Sequence, residues 1–335
     1  VQTGWYAGHP TGGFGRRGGS HPDLAERLAV SVMAHHAPSS RGSRRMPWLT
    51  WTALGVVWFT WGSAYLAIRV MVRDIPPLFG NGIRFVVCGL VLMAITAVMR
   101  PQATITPDRR GLWEFTVLGL LICGLSGGFL GLGEQHVNSS IAALIGASLP
   151  FWLIVLQAMS GHRPTARDMG AAAIGFVGVG LLFLPSEGEG STSLLGGALI
   201  LGSTLSWALG SWLTPRLRPP DDVLVATSWQ MLLGGLALVV IGIAAGDLGR
   251  MEVPSLESSL AYVYLTTISG VVGYVAYVWL LHNATLTQVG TFAYVNPMVA
   301  VVLGWAILGE SLTALGLLAS VVIIGSVVLT LQDGS

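Results

Sequence analysis

The sequence predicts an all-α membrane protein that crosses the bilayer ten times, as two inverted five-helix repeats. Three observations carry that reading. First, 53% of the 335 residues are hydrophobic and only 10% are charged, whereas a soluble domain carries about 25% charged residues to cover its wetted surface. Second, the run GTFAYVNPMVAVVLGWAILGE, residues 290–310, has the length that crosses a bilayer as a helix, about 20 residues, yet holds Asn296 and Pro297 near its start. A proline inside such a helix frees a carbonyl that only a protein interior or a wet cavity satisfies. Third, ALIGASLPFWLIVLQ, residues 143–157, repeats the pattern 147 residues earlier, with Pro150 placed after Ala143 as Pro297 is placed after Gly290. One interrupted helix is used twice, and the chain is two halves built around the pair.

Residues 1–46 are rich in Gly, Pro, Ser, His and Arg without a hydrophobic period, and they read as a disordered extension. Arg16-Arg17 is not followed directly by an apolar core, and residues 28–34 are too short for a secretory signal. From Trp48 onward, spans are expected at about 51–70, 78–98, 112–132, 140–158, 168–185, 194–213, 223–245, 258–280, 288–309 and 311–331. The first repeat therefore covers 47–185 and the second 194–331. In order, the first span carries WGSAYLAIR (61–69), the second follows Pro76-Pro77 and holds Arg84, and the third ends at Glu134 and His136. The fourth is interrupted at Pro150 and the fifth closes the first half. The sixth opens the second half with Trp207 to Trp212, the seventh holds Gln230, and the eighth holds Tyr274 and Tyr277. The ninth is interrupted at Pro297, and the tenth starts beyond Glu310. Five is odd, so the second copy enters the bilayer upside down, and a site is expected at mid-depth where the halves meet.

Every basic residue is arginine. Beyond the extension, Arg100, Arg109, Arg110, Arg163, Arg167, Arg216 and Arg218 fall on the side of the N-terminus, against Arg69, Arg73 and Arg250 on the other. Basic loops stay in the cytoplasm, which places both termini inside a cytoplasmic (inner) membrane. A net charge of +1 gives no reason to expect nucleic acid as a partner. The only two cysteines, Cys88 and Cys123, sit in apolar spans and read as small packing residues. No metal or cofactor site can be built from them, and the scattered histidines of the extension lack ligand spacing. The 45 glycines suit close helix contact in lipid, as in the pairs Gly124/Gly128 and Gly127/Gly131.

With these residues in view, the chain resembles the EamA-type permeases of the drug/metabolite transporter superfamily. The likeness rests on WGSAYLAIR, Pro76-Pro77 with Arg84, the block ending at Pro150, and AYVNPMVAVVLG followed by Gly309-Glu310, and it covers about residues 50–331 in order. The resemblance implies ten helices in two inverted repeats, a central cavity, and export of small amphipathic metabolites, amino acids or drugs. One departure stands out: Gly161-His162-Arg163 occupies the place in the first half that Gly309-Glu310 holds in the second.

Arg84 is the only charge well inside a span, a position that costs several kcal/mol unless the group is paired or faces a wet cavity. It is read either as a fork for a solute carboxylate or as a lock on helix carbonyls. Gln230 takes the comparable place in the second half. Trp61, Tyr65, Trp207, Tyr274, Tyr277 and Tyr294 are candidates for a partly aromatic cavity wall, and Trp48, Trp51, Trp113 and Trp305 for the interfacial belt. Asn296 sets an amide beside the carbonyl freed at the break. Glu134, His136 and Glu310 stand at span ends as capping or gating groups, Glu310 being placed to cap the tenth helix. No Asp or Glu lies at mid-depth, which favours facilitated movement over tight proton coupling, with His136 or His282 left as proton carriers. An enzyme would need chemistry such as an H-E-x-x-H metal motif or a phosphate-cradling Walker loop, and neither is found. A receptor or assembly factor would carry a folded soluble domain, and a channel rings of charge or a filter repeat. The expected partners are a small-molecule solute and the lipid bilayer.

Overall fold

The computed structural model describes residues 47–161, 164–184, 193–217 and 222–331. The expected extension at 1–46 lies outside the described residues, as do His162, Arg163 and Arg218. Among the described residues all regular structure is helical. Helix α1 is Pro47–Met71, α2 Pro77–Met99, α3 Arg109–Glu134, α4 Ser139–Met159 and α5 Ala166–Leu181. The second half follows with α6 Leu194–Leu217, α7 Val223–Ala244, α8 Leu256–Asn283, α9 from Leu286 to Leu308, and α10 Ala314–Leu331. Eight of them, α1–α4 and α6–α9, are long and apolar enough to cross a membrane, and the apolar stretch of α10, Ala314–Leu329, is shorter. The fifth expected crossing corresponds to α5, whose 16 residues fall short of a full span at about 1.5 Å per residue.

Local chemistry sets the helix ends. Pro77 occupies the first turn of α2, where a missing N–H costs nothing. The Asp108 carboxylate accepts from the Gly111 N–H at 2.7 Å, and Asp222 accepts from Leu224 and Val225. Thr165 with Asp168 and Thr285 with Gln288 form reciprocal capping boxes at the starts of α5 and α9. In the loop after α1, the Asp74 carboxylate accepts from the Ser255 hydroxyl and N–H, tying that loop to the start of α8. Those bonds, the Ser255 hydroxyl foremost, hold the Asp74 carboxyl below the usual carboxylate range. Along the spans, apolar side chains such as Val98, Val240, Ile307 and Val321 are exposed, as a lipid-facing surface requires. Trp48, Trp51, Trp113 and Trp305 are exposed near helix ends, where a belt would stand.

The main helix contacts recur when the halves are exchanged. Helix α2 lies along α7, and α5 along α10. The contact of α3 with α6 is matched by that of α8 with α1, and the contact of α4 with α6 by that of α9 with α1. Direction follows from the glycine contacts between α2 and α7. Gly82 faces Gly235 and Val239, while Gly89 faces Ser228 and Leu232, so the two helices run antiparallel. Equivalent helices of opposite direction are what an inverted repeat produces. The largest buried cluster forms around α4, with Leu144, Ile145, Phe151 and Ile154 packed against α5, α6 and α10.

Candidate transport cavity

The repeats differ from regular helix at matching places. In α3 the helix loosens to π geometry over Leu120–Leu125, and in α8 over Leu265–Val272. In α4, regular helix stops at Gly146 and resumes at Leu149, just ahead of Pro150. In α9 it stops at Gly290 and resumes at Phe292. The expected break at Pro297 is thus displaced: Pro297 lies inside the helix Phe292–Leu308, and the interruption falls at Thr291. The Thr291 hydroxyl bonds back to the Gln288 carbonyl at 2.6 Å and accepts from the Trp58 indole N–H at 2.9 Å, which fixes the turn there.

These irregular segments surround a cavity of about 170 Å³ between the halves. Of the residues singled out from sequence, Trp61, Tyr65, Arg84, Trp207, Tyr274 and Asn296 line it, together with Pro150 and Pro297. Tyr277 stands behind the wall, its ring 4.9 Å from Trp61, and Tyr294 packs into the cluster around α4. Gln230 is not in the lining. Its main chain lies against Gly119, and Met231, the next residue, faces the cavity. The repeat interval of 147 pairs Arg84 with residue 231, so the expected correspondence was one residue out of register, about 100° around a helix. Sequence reading also missed the hydroxyls of Ser126, Ser203, Thr204 and Ser269, which line the cavity. Ser126 shares a 3.0 Å hydrogen bond with Ser203, and Thr204 a 3.3 Å bond with Ser148. The signal for two of them was the Ser-Gly pairs 126–127 and 269–270, small residues at π turns. Residues 124–128, GLSGG, also match the spacing of a hydrolase nucleophile elbow. They lie within continuous helix, without the strand-to-helix turn that exposes such a serine.

Arg84 is 8% exposed, and its guanidinium lies over the Phe85 ring at 4.5 Å. No hydrogen bond or ion pair with another described residue satisfies it, and its Nε is enclosed without an acceptor among them. Trp61 anchors an aromatic wall with Tyr274 and Phe292, each 5.4 Å away centroid to centroid. Asn296 is buried with its Oδ1 unpartnered.

The acidic groups lie beyond the lining. Glu310 does not cap α10; Thr313 does, accepting from the Gly316 N–H at 3.1 Å. Gly309 ends α9 at φ 66°, a left-handed conformation that favours glycine, and turns the chain back. The Glu310 carboxylate then reaches the start of α4. There it accepts from the N–H groups of Ser139 and Ser140 at 2.9 and 3.0 Å and from both hydroxyls at 2.6–3.0 Å. Its negative charge sits on the positive end of that helix, in the other half of the protein. His136 is exposed. Glu134 is wholly buried with both carboxylate oxygens unpartnered, and Arg69 donates to its main-chain carbonyl instead. Shut away from water, that carboxyl is held at neutral pH either ionised without a hydrogen bond or protonated at a cost, and both states are unfavourable. Glu134→Gln keeps the shape and removes the ionisable group. It is expected to raise thermal stability, by on the order of 1 kcal/mol; an unchanged or lowered midpoint in thermal denaturation of the purified protein would contradict this.

Comparison with known proteins fits this architecture. A profile of the EamA-like transporter family matches residues 47–184 and again 194–332. The chain belongs to the EamA-like transporter family. Among EamA-like relatives, it is 33% identical over 278 residues to the uncharacterized inner membrane transporter YedA of Escherichia coli (strain K12), covering 83% of this chain and 89% of that one. It is 26% identical over 283 residues to the WAT1-related protein At3g02690, chloroplastic, of Arabidopsis thaliana, covering 82% of this chain and 67% of the other. A solved crystal structure shares the fold, with a TM-score of 0.57 at 17% identity, covering 84% of this chain and 95% of that chain. The EamA match accounts for two copies of one unit, and the relatives make the chain a membrane transporter homologue.

Proposed function

We propose that this EamA-like protein is a secondary transporter that exports small amphipathic metabolites, amino acids or drugs across the cytoplasmic membrane by alternating access, with ten crossings and both termini inside. The observation that carries the reading is the cavity itself, walled by both halves and bordered by both proline segments. Its lining also breaks the internal symmetry. On α1 it runs from Trp61 forward to Ile68, and on α6 from Trp207 back to Ile200. Because α1 and α6 are antiparallel counterparts, both stretches lead toward the same end of the bundle. A carrier that exposes one end at a time adopts such an asymmetric arrangement and reverses it by rocking one half against the other.

Among the described residues no carboxylate lies in the lining, in keeping with facilitated movement. The buried Glu134 favours the second reading, proton-coupled efflux, since a membrane-buried ionisable group without a partner is a functional candidate by default. Counterflow in proteoliposomes, screened over amino acids and amphipathic toxins, tests the carrier. Preloaded solute is expected to drive uptake of its labelled form, and absence of counterflow across the panel would sink the reading. A pH gradient that drives uptake stoichiometrically would replace facilitated movement with coupling.

A further inference from the structure

Of the described residues that line the cavity, Arg84 alone carries a formal charge, and no described Asp or Glu faces it there. A neutral thiol and a neutral phenol, those of Cys88 and Tyr274, share that lining with it. The Glu134 carboxylate lies within electrostatic range of Arg84 but stands outside the lining, and it forms no hydrogen bond with Arg84 or with any other described residue. Nor does Arg84 lock the helices by bonding carbonyls, the alternative that its position in the sequence left open, since it forms no hydrogen bond with any described residue.

A guanidinium that is largely buried and left unpaired is costly, and its attraction for an incoming anion is correspondingly large, because the fold has already removed most of its solvent. Its planar fork presents parallel N–H groups that match the two oxygens of a carboxylate. A cationic solute would meet only repulsion at the same place. On the rest of the wall, Trp61, Tyr274 and Phe292 form a contiguous aromatic surface suited to a flat apolar body. We infer that the transported solutes are organic anions, with a carboxylate or equivalent oxyanion docked on Arg84 and an apolar or aromatic body against the Trp61 wall. The inference rests on the carrier reading and narrows it: of amphipathic solutes, the anions are chosen and the cations excluded.

The test is calorimetric titration of the full chain, purified in detergent, with hydrocinnamate and with phenylpropylamine, which are near in size and opposite in charge. The wild-type protein is expected to bind hydrocinnamate more tightly by about tenfold or more, the discrimination of a two-pronged charge-assisted contact. Arg84→Gln removes an unpaired buried charge and should fold, as checked by helical content and elution volume, while losing that preference. Arg84→Lys, which keeps the charge but not the fork, should retain the sign of the preference at weaker affinity. Equal or tighter binding of the amine, a preference that survives in Arg84→Gln, or no binding of either probe at millimolar concentration would overturn the inference. If solutes show counterflow but the anion preference is absent, the anion class fails and the carrier stands. If hydrocinnamate binds through Arg84 while nothing shows counterflow, the carrier reading fails and the anion site stands.

Discussion

Glu310→Ala is expected to cost the protein about 3 kcal/mol and to lower its thermal midpoint by several degrees. The substitution removes the acceptor for two main-chain N–H groups and two hydroxyls at the start of α4, where Ser139 and Ser140 are almost wholly buried. Each buried donor left without a partner costs roughly 1–3 kcal/mol, and the helix also loses a negative charge at its positive end. Glu310→Gln, which keeps one acceptor oxygen, should fall between. The bond joins residues of opposite halves, so its loss should also change transport, and counterflow of any solute the wild type moves provides the second readout. A variant with unaltered melting and unaltered rate would show that the contact contributes nothing.

Gly234→Ala should be the most damaging of the small substitutions. A methyl group there would overlap the Gly119 carbonyl and press on the Cys123 side chain, at the crossing of α3 and α7. The main obstruction is main chain, which has no rotamer to change, so the helices must separate. Overpacking of this kind costs typically 1–3 kcal/mol. Gly55→Ala is the control, since a methyl group there meets nothing within 4 Å and sits in the middle of α1. That variant should gain about 0.5–1 kcal/mol from helix propensity. Thermal denaturation of both proteins decides it: the expected shifts have opposite signs, and shifts of the same sign would contradict the packing argument.

What was readable from the chain, and what was not, follows from the range of the forces involved. Pro150 and Pro297 mark the interrupted helices because a missing N–H is a local fact, and both do border the cavity. Arg84 is conspicuous because nearly every residue around it is apolar. Helix register is harder, since one residue turns a side chain by about 100°, and so Gln230 was chosen where Met231 faces the cavity. The position of the interruption in α9 depends on Thr291 meeting Trp58, a residue 233 positions away. The partner of Glu310 is likewise 170 positions away, and nothing near residue 310 signals it. The π turns in α3 and α8 are set by packing around small residues rather than by any one side chain. Tyr277 and Tyr294 are candidates by residue type alone, and type does not say which side of a helix faces the cavity.

The central claim, that a cavity between two inverted halves is presented to each side of the membrane in turn, is tested most directly at Ala64, a half-buried residue of the lining. In a protein carrying Ala64→Cys, with Cys88 and Cys123 replaced by serine, an impermeant thiol reagent is applied to proteoliposomes from outside or from within. Modification from either side is predicted, slowed by any solute that shows counterflow. A thiol reached from one side only, or from neither, would contradict it.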